Sequence, residues 1–236
     1  DDLAGPWRVH PPGVLHLDAT AATGHVASPD VHVDAARREI RMYFHGGPPP
    51  EAPRGQVSFL ARSDDGLRFT AEPTPLGPAY LRAFPHAGRW VGVAKVGNEG
   101  GALLASPDAE GAQPFETVRR VLPRMRHAAW RLRGPGRADL YFSRGLDTPE
   151  RILMCPVQLA DDPADWALGP PREVLRPAAD YEGADCPLAP SAWGAAAGRV
   201  CQLRDPAVLA DAGRTWLFYT IAGEQGIAAA ELLDED

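Results

Sequence analysis

Positive charge, cysteine and long apolar runs are all scarce in this chain of 236 residues. Acidic residues outnumber basic ones, and the formal net charge of -7 leaves no electrostatic footprint for nucleic acid or for an anionic membrane surface. No apolar run approaches the ~18 residues that a membrane span needs. The three cysteines, Cys155, Cys186 and Cys201, are too few and too scattered for a zinc ribbon or a disulfide framework. Each reads as a small buried hydrophobe. The N-terminal DDLAGPWRVH has no signal-peptide pattern, and with no disulfide framework this favours the cytoplasm. Three catalytic signatures are also missing: a P-loop, an HExxH pair and a GxSxG elbow. The glycines of GNEGG (Gly97–Gly101) lack the strand–helix setting of a phosphate site.

What the chain does have is turns and repetition. It holds 24 glycines and 25 prolines, spread between apolar runs, with 44% hydrophobic residues overall. That distribution suits many short strands and argues against long helices. One phrase recurs: a β-rich run, an acidic turn, then an aromatic residue. It reads FLARSDDGLRF (Phe59–Phe69), LLASPDAEGAQPF (Leu103–Phe115) and MCPVQLADDPADW (Met154–Trp166). A second phrase, a tight turn followed by an aromatic or β-branched strand, reads DAARREIRMYFHG, HAGRWVGVAKVG, GPGRADLYFSRG and DAGRTWLFYTIAG.

Joined, the phrases predict an all-β fold of four-stranded units, a β-propeller with four recognisable blades. The blades fall at about 25–75, 79–120, 125–172 and 201–236 with 1–18, and an insertion occupies 175–200. The chain opens on half a phrase, DDLAGPW, and closes on the other half, IAAAELLDED. Two readings stay open: a ring closed by pairing of the two ends, or a propeller whose N-terminal blade is missing. The Pro/Gly/Ala-rich insertion reads as a functional loop.

A propeller points the first residues of its inner strands into a central channel. Those starts are HVASPDV, LRAFPH, MRHAAW and LRDPAV, each with His, Arg or Asp where an apolar residue is expected. Asp30 and Asp205 both stand beside a proline at the start of a strand and are expected at equivalent positions on two blades. Glu182, in the YEGAD of the insertion, is a candidate general acid, since desolvation raises a carboxyl pKa. Two carboxyls in different environments are the minimum machinery of glycoside hydrolysis. His25 and His127 are candidates for substrate hydroxyls, Arg204 for holding Asp205 ionised or binding a substrate oxygen, and Trp130 and Tyr181 for stacking on sugar faces.

RDPAV followed by TWLFYT, and SPDV followed by MYFHG, resemble the five-bladed propeller glycosidases, which include glycoside hydrolase family 43 and its furanosidase relatives. The motifs ASPDVHVD, YEGAD and LRDPAV are most similar to an uncharacterised bacterial branch of that superfamily. The resemblance implies hydrolysis of a furanoside or related glycan, with Asp205 and Asp30 as base and tuning carboxylate and Glu182 as acid. It implies a carbohydrate partner and no required cofactor, with a structural metal ion on the axis as an allowed addition. YEG precedes RDP here, the reverse of the family's order, which motivates a second reading as a propeller that binds a carbohydrate or metabolite without cleaving it.

Overall fold

A computed structural model describes residues 3, 5–51 and 55–233. Within them the chain is all-β, four antiparallel sheets with short 3-10 turns between strands. It divides into two compact units: residues up to Leu81 with Ala112–Pro114, and Arg82–Gly111 with the chain from Phe115 onward.

The first unit holds one sheet. Strands β1 (Thr23–Asp34), β2 (Glu39–Gly47), β3 (Val57–Ser63) and β4 (Thr70–Ala71) follow in order, and β5 (Gly77–Pro78) also pairs with β3. Its core is Met42, Phe44, Phe59 and Ala61 with Ala22. Gly46 is required here, because a Cβ would lie 2.3 Å from the His25 carbonyl oxygen across the ladder.

The second unit holds three sheets. The first is β6 (Arg82–His86), β7 (Arg89–Val96), β8 (Gly100–Ala105) and β9 (Glu116–Pro123). Next come β10 (Met125–Leu132), β11 (Arg137–Arg144), β12 (Ile152–Gln158) and β13 (Ala167–Leu168), with β14 (Arg172–Leu175) also on β12. The last sheet is β15 (Arg204–Asp211), β16 (Arg214–Ile221) and β17 (Gly226–Glu231). Between sheets, aromatic and aliphatic faces meet. Phe84, Val91, Val93, Leu103, Leu140 and Phe142 form one cluster, and Tyr141, Ile152, Leu203, Leu217 and Tyr219 another. Each such side chain, fully buried, contributes roughly 1.5–3 kcal/mol.

The recurring acidic phrase is a turn device. Asp65 Oδ1 accepts the amides of Leu67 and Arg68 at 2.8 and 2.9 Å, and these bonds hold its carboxyl down at about 2. Asp162 accepts Ala164 N in the same manner at 2.9 Å. The last sheet has three strands among the described residues. Residues 5–19 carry a 3-10 turn at Leu17–Ala19 and no strand. Part of each terminal half-phrase (Asp1, Asp2 and Ala4; Asp234–Asp236) lies outside the described residues.

Candidate active site

Three inner strands carry an extra residue near their start, and β1 has a further register shift between Thr23 and Ala27. In β1 the register steps from Ala27↔His45 to Asp30↔Tyr43, in β10 from Met125↔Arg144 to Ala128↔Phe142, and in β15 from Arg204↔Thr220 to Ala207↔Phe218. Each bulge re-aims the side chains around it. Ser28 (φ 51°) and Asp205 (φ 49°) adopt the left-handed backbone inside two of these bulges, each just before a proline. Aspartate tolerates that conformation better than most residues, and the following Pro206 has no N–H to give the ladder.

These ladders correct one expectation. The counterpart of Asp205 in the first sheet is Ser28, while Asp30 stands opposite Tyr43 and so matches Ala207. Ser-Pro-Asp and Asp-Pro-Ala place their carboxylates two residues apart along the strand, so adjacency to proline does not make the two aspartates equivalent.

The bulges bring His127 and Asp205 together. His127 Nδ1 lies 2.5 Å from Asp205 Oδ1, and Asp205 Oδ2 accepts the Thr220 hydroxyl at 3.1 Å. Burial pushes the Asp205 carboxyl up, but His127, the Thr220 hydrogen bond and Arg82 of β6 outweigh it and hold the group at about 2. His127 is buried, whereas 29% of the Asp205 side chain is exposed, which leaves the carboxylate within reach of a ligand.

The residues that precede His127 and Asp205, Arg126 and Arg204, belong to an ionic cluster. Glu150 is fully buried; its Oε1 accepts from Arg126 Nε at 2.8 Å and Ser143 Oγ at 2.9 Å, and its Oε2 lies 3.4 Å from Arg204 Nε. Arg204, 2% exposed, donates to Gln202, to the Gly194 carbonyl and to Glu224. Its guanidinium therefore serves this cluster, and the cation acting on Asp205 is Arg82. Lys95, the one lysine of the sequence, sits over the Trp193 ring at 4.9 Å, and burial followed by Arg126 lowers its pKa.

The insertion is ordered and tied down at two places. Near its start, Glu182 is buried in a 3-10 turn, where Oε2 accepts Ala178 N and Ala179 N at 2.8 and 3.1 Å and Oε1 accepts the Tyr219 hydroxyl at 2.9 Å. Burial and this contact push the Tyr219 phenol above its ordinary range. Gly183 (φ 89°) follows, and a Cβ there would lie 2.3 Å from the Val200 carbonyl oxygen. Further on, Ser191 N donates to Asp147 O and Leu146 N to Ser191 Oγ.

The remaining candidates are dispersed. Asp30 pairs with His32 at 3.1 Å in the first unit, where His25 is exposed and its Nε2 lies 3.1 Å from Gln56 Nε2. Trp130 donates to the Arg82 carbonyl at 3.0 Å and packs edge-on against Phe84 and Trp166, so its ring is blade packing. Tyr181 is 57% exposed on the insertion. Cys155 and Cys201 are buried, as expected, and Cys186 is half-buried. Among the described residues no group of three or more His, Cys, Asp and Glu is placed to hold a metal ion, and no helix is long and apolar enough to cross a membrane. Arg82, Arg126 and Glu150 were not singled out from sequence. The recurring Leu-Arg or Met-Arg that opens β6, β10 and β15 was the available signal for the two arginines; Glu150 had none.

No protein-family model matches the chain. An uncharacterised protein of Acanthamoeba polyphaga mimivirus, R118, is 37% identical over 254 residues, covering 98% of this chain and 71% of that protein. This relative is viral, and the expected bacterial placing is not part of what it shows. Among solved structures, an exo-1,5-α-L-arabinanase from a bovine ruminal metagenomic library superposes with a TM-score of 0.62 at 8% identity, over 95% of this chain and 80% of that one. A GH43_1 enzyme from Xanthomonas citri, solved with xylotriose, gives 0.61 at 16%, over 94% and 73%. The α-L-arabinanase of Cellvibrio cellulosa, solved with arabinohexaose, gives 0.59 at 10%, over 90% and 75%. At these identities the likeness shows the fold, a β-propeller of the family 43 glycoside hydrolase type, and the described residues make four of its blades.

Proposed function

Because the chain belongs to the family of the mimivirus protein R118 and has the fold of the family 43 glycoside hydrolases, we propose that it is a glycoside hydrolase acting on a furanoside or related glycan. One observation carries the reading. Asp205 is an ionised, partly open carboxylate held at a strained bulge by His127 and Thr220. Strain of that kind gathers at functional sites. In the proposed reaction Asp205 is the base. Its carboxylate takes a proton from water as the water oxygen bonds to the anomeric carbon, while the glycosidic bond breaks and the leaving oxygen receives a proton from the acid. Glu182 is offered as that acid, and substitution tests it.

A panel of aryl furanosides and pyranosides tests the proposal. Hydrolysis by the native chain, with kcat lowered about 10²–10⁴-fold in Asp205→Asn, supports it. A comparable loss in Glu182→Gln identifies Glu182 as the acid. No turnover on any glycan removes the hydrolase reading.

Three donors converge on the Glu182 carboxylate, which serves the fold of the insertion, and this favours a second reading. In it, the propeller binds a carbohydrate at the Asp205–His127 pair without cutting it. Saturable glycan binding without product, weakened in Asp205→Asn, is the result that distinguishes it.

A further inference from the structure

The second anchor of the insertion rests on the arginines that precede His127 and Asp205 in the chain. Trp193 carries Lys95 Nζ at 4.9 Å and Arg126 Cζ at 5.1 Å over its ring, and its edge packs on Gly145. The next residue supplies a shared acceptor. The Gly194 carbonyl receives Arg126 Nη1 at 3.2 Å and Arg204 Nη1 at 3.1 Å, and Arg126 Nη2 donates to the Ala192 carbonyl. Two buried guanidiniums of like charge are thus held together by one backbone oxygen on one side and Glu150 on the other. Each arginine immediately precedes a member of the pair: Arg126 precedes His127 on β10, and Arg204 precedes Asp205 on β15.

We propose that Ser191–Gly194 is a latch whose seating on Arg126 and Arg204 positions the His127–Asp205 pair, making both arginines, with Trp193, positioning residues. This rests on the assignment of Asp205 to the active site. It adds that the Ser191–Gly194 part of the insertion acts on that site indirectly, through Arg126 and Arg204. Arg82 of β6 acts on Asp205, and the residues next to the pair in the chain, Arg126 and Arg204, share Glu150.

Gly145→Ala tests the latch without removing a charge, since the new methyl would lie 2.6–2.8 Å from three Trp193 ring carbons and must displace the ring. Two readouts on the full chain are needed, and neither involves a glycan, so their failure is distinct from failure of the hydrolase reading. Hydrogen exchange at the Ser191 and Leu146 amides reports seating, and is expected to quicken about tenfold or more. The NMR chemical shifts of the His127 ring at fixed pH report the pair, and are expected to move well beyond the native line width, with Trp193→Phe staying near the native value. If the amides open and the His127 ring signals stay put, the segment is only a strap and the proposal falls. It falls equally if Gly145→Ala and Trp193→Ala both leave the amides protected. Should both variants fail to fold, Ser191→Ala, which removes only the acceptor of Leu146 N, is read by the same two criteria.

Discussion

Asp205→Asn offers a quantitative test of the electrostatics at the bulge. Asparagine keeps the shape of the side chain and tolerates the left-handed backbone that residue 205 adopts, so the substitution removes charge with little added strain. The carboxyl falls from 3.8 to about 2 in the folded chain, because His127, Thr220 and Arg82 outweigh the cost of its burial. At ~1.36 kcal/mol per pH unit, that depression corresponds to about 2 kcal/mol of stability. The sign follows from linkage. A depressed folded pKa stabilises above the unfolded value, and the contribution is lost as the pH falls from about 4 through about 2. Urea denaturation of the native chain and Asp205→Asn is therefore expected to differ by about 2 kcal/mol at pH 6, and the gap should close toward pH 2. Equal stability at pH 6 would refute the reasoning, as would a gap of the same size at pH 2, because a pH-independent loss comes from packing and not from charge.

Three further substitutions probe the frame around the site. Glu150→Ala leaves Arg126 and Arg204 buried without their shared carboxylate and is expected to cost about 3–5 kcal/mol in chemical denaturation, far more than a surface Glu→Ala change. In Glu182→Gln the Tyr219 phenol loses the anionic neighbour that holds it up, so its ultraviolet titration should begin at lower pH than in the native chain. Gly183→Ala meets both a φ of 89° and the Val200 carbonyl oxygen at 2.3 Å, and is expected to lower stability by more than about 1 kcal/mol and to loosen the insertion to protease.

The strands, hairpins and acidic turns were legible because their causes are local. Tyr43, Tyr141 and Phe218 sit in aromatic strands just after tight turns, and Asp65 caps its own turn within three residues. Asp205 was legible from its Asp-Pro at a strand start. Its partner was singled out as well, but the pairing was not, since His127 and Asp205 belong to different sheets and meet only when β10 and β15 pack. Arg204 misled for a related reason. It adjoins Asp205 in sequence, yet the bulge sends its guanidinium to Glu150, Glu224 and the insertion. Trp130 read as a sugar platform and lies instead against Phe84 and Trp166, because half-exposed aromatics between sheets pack on whatever neighbour the next sheet provides.

The sequence by itself determined the all-β class and the repeat, which follow from alternation and turn chemistry over a few residues. Tertiary structure alone decided which carboxylate stands ionised and open, which arginines share Glu150, and where the insertion is tied. A single extra residue in a strand turns the side chains around it to new partners. Those partners come from strands tens of residues away, which no local pattern encodes.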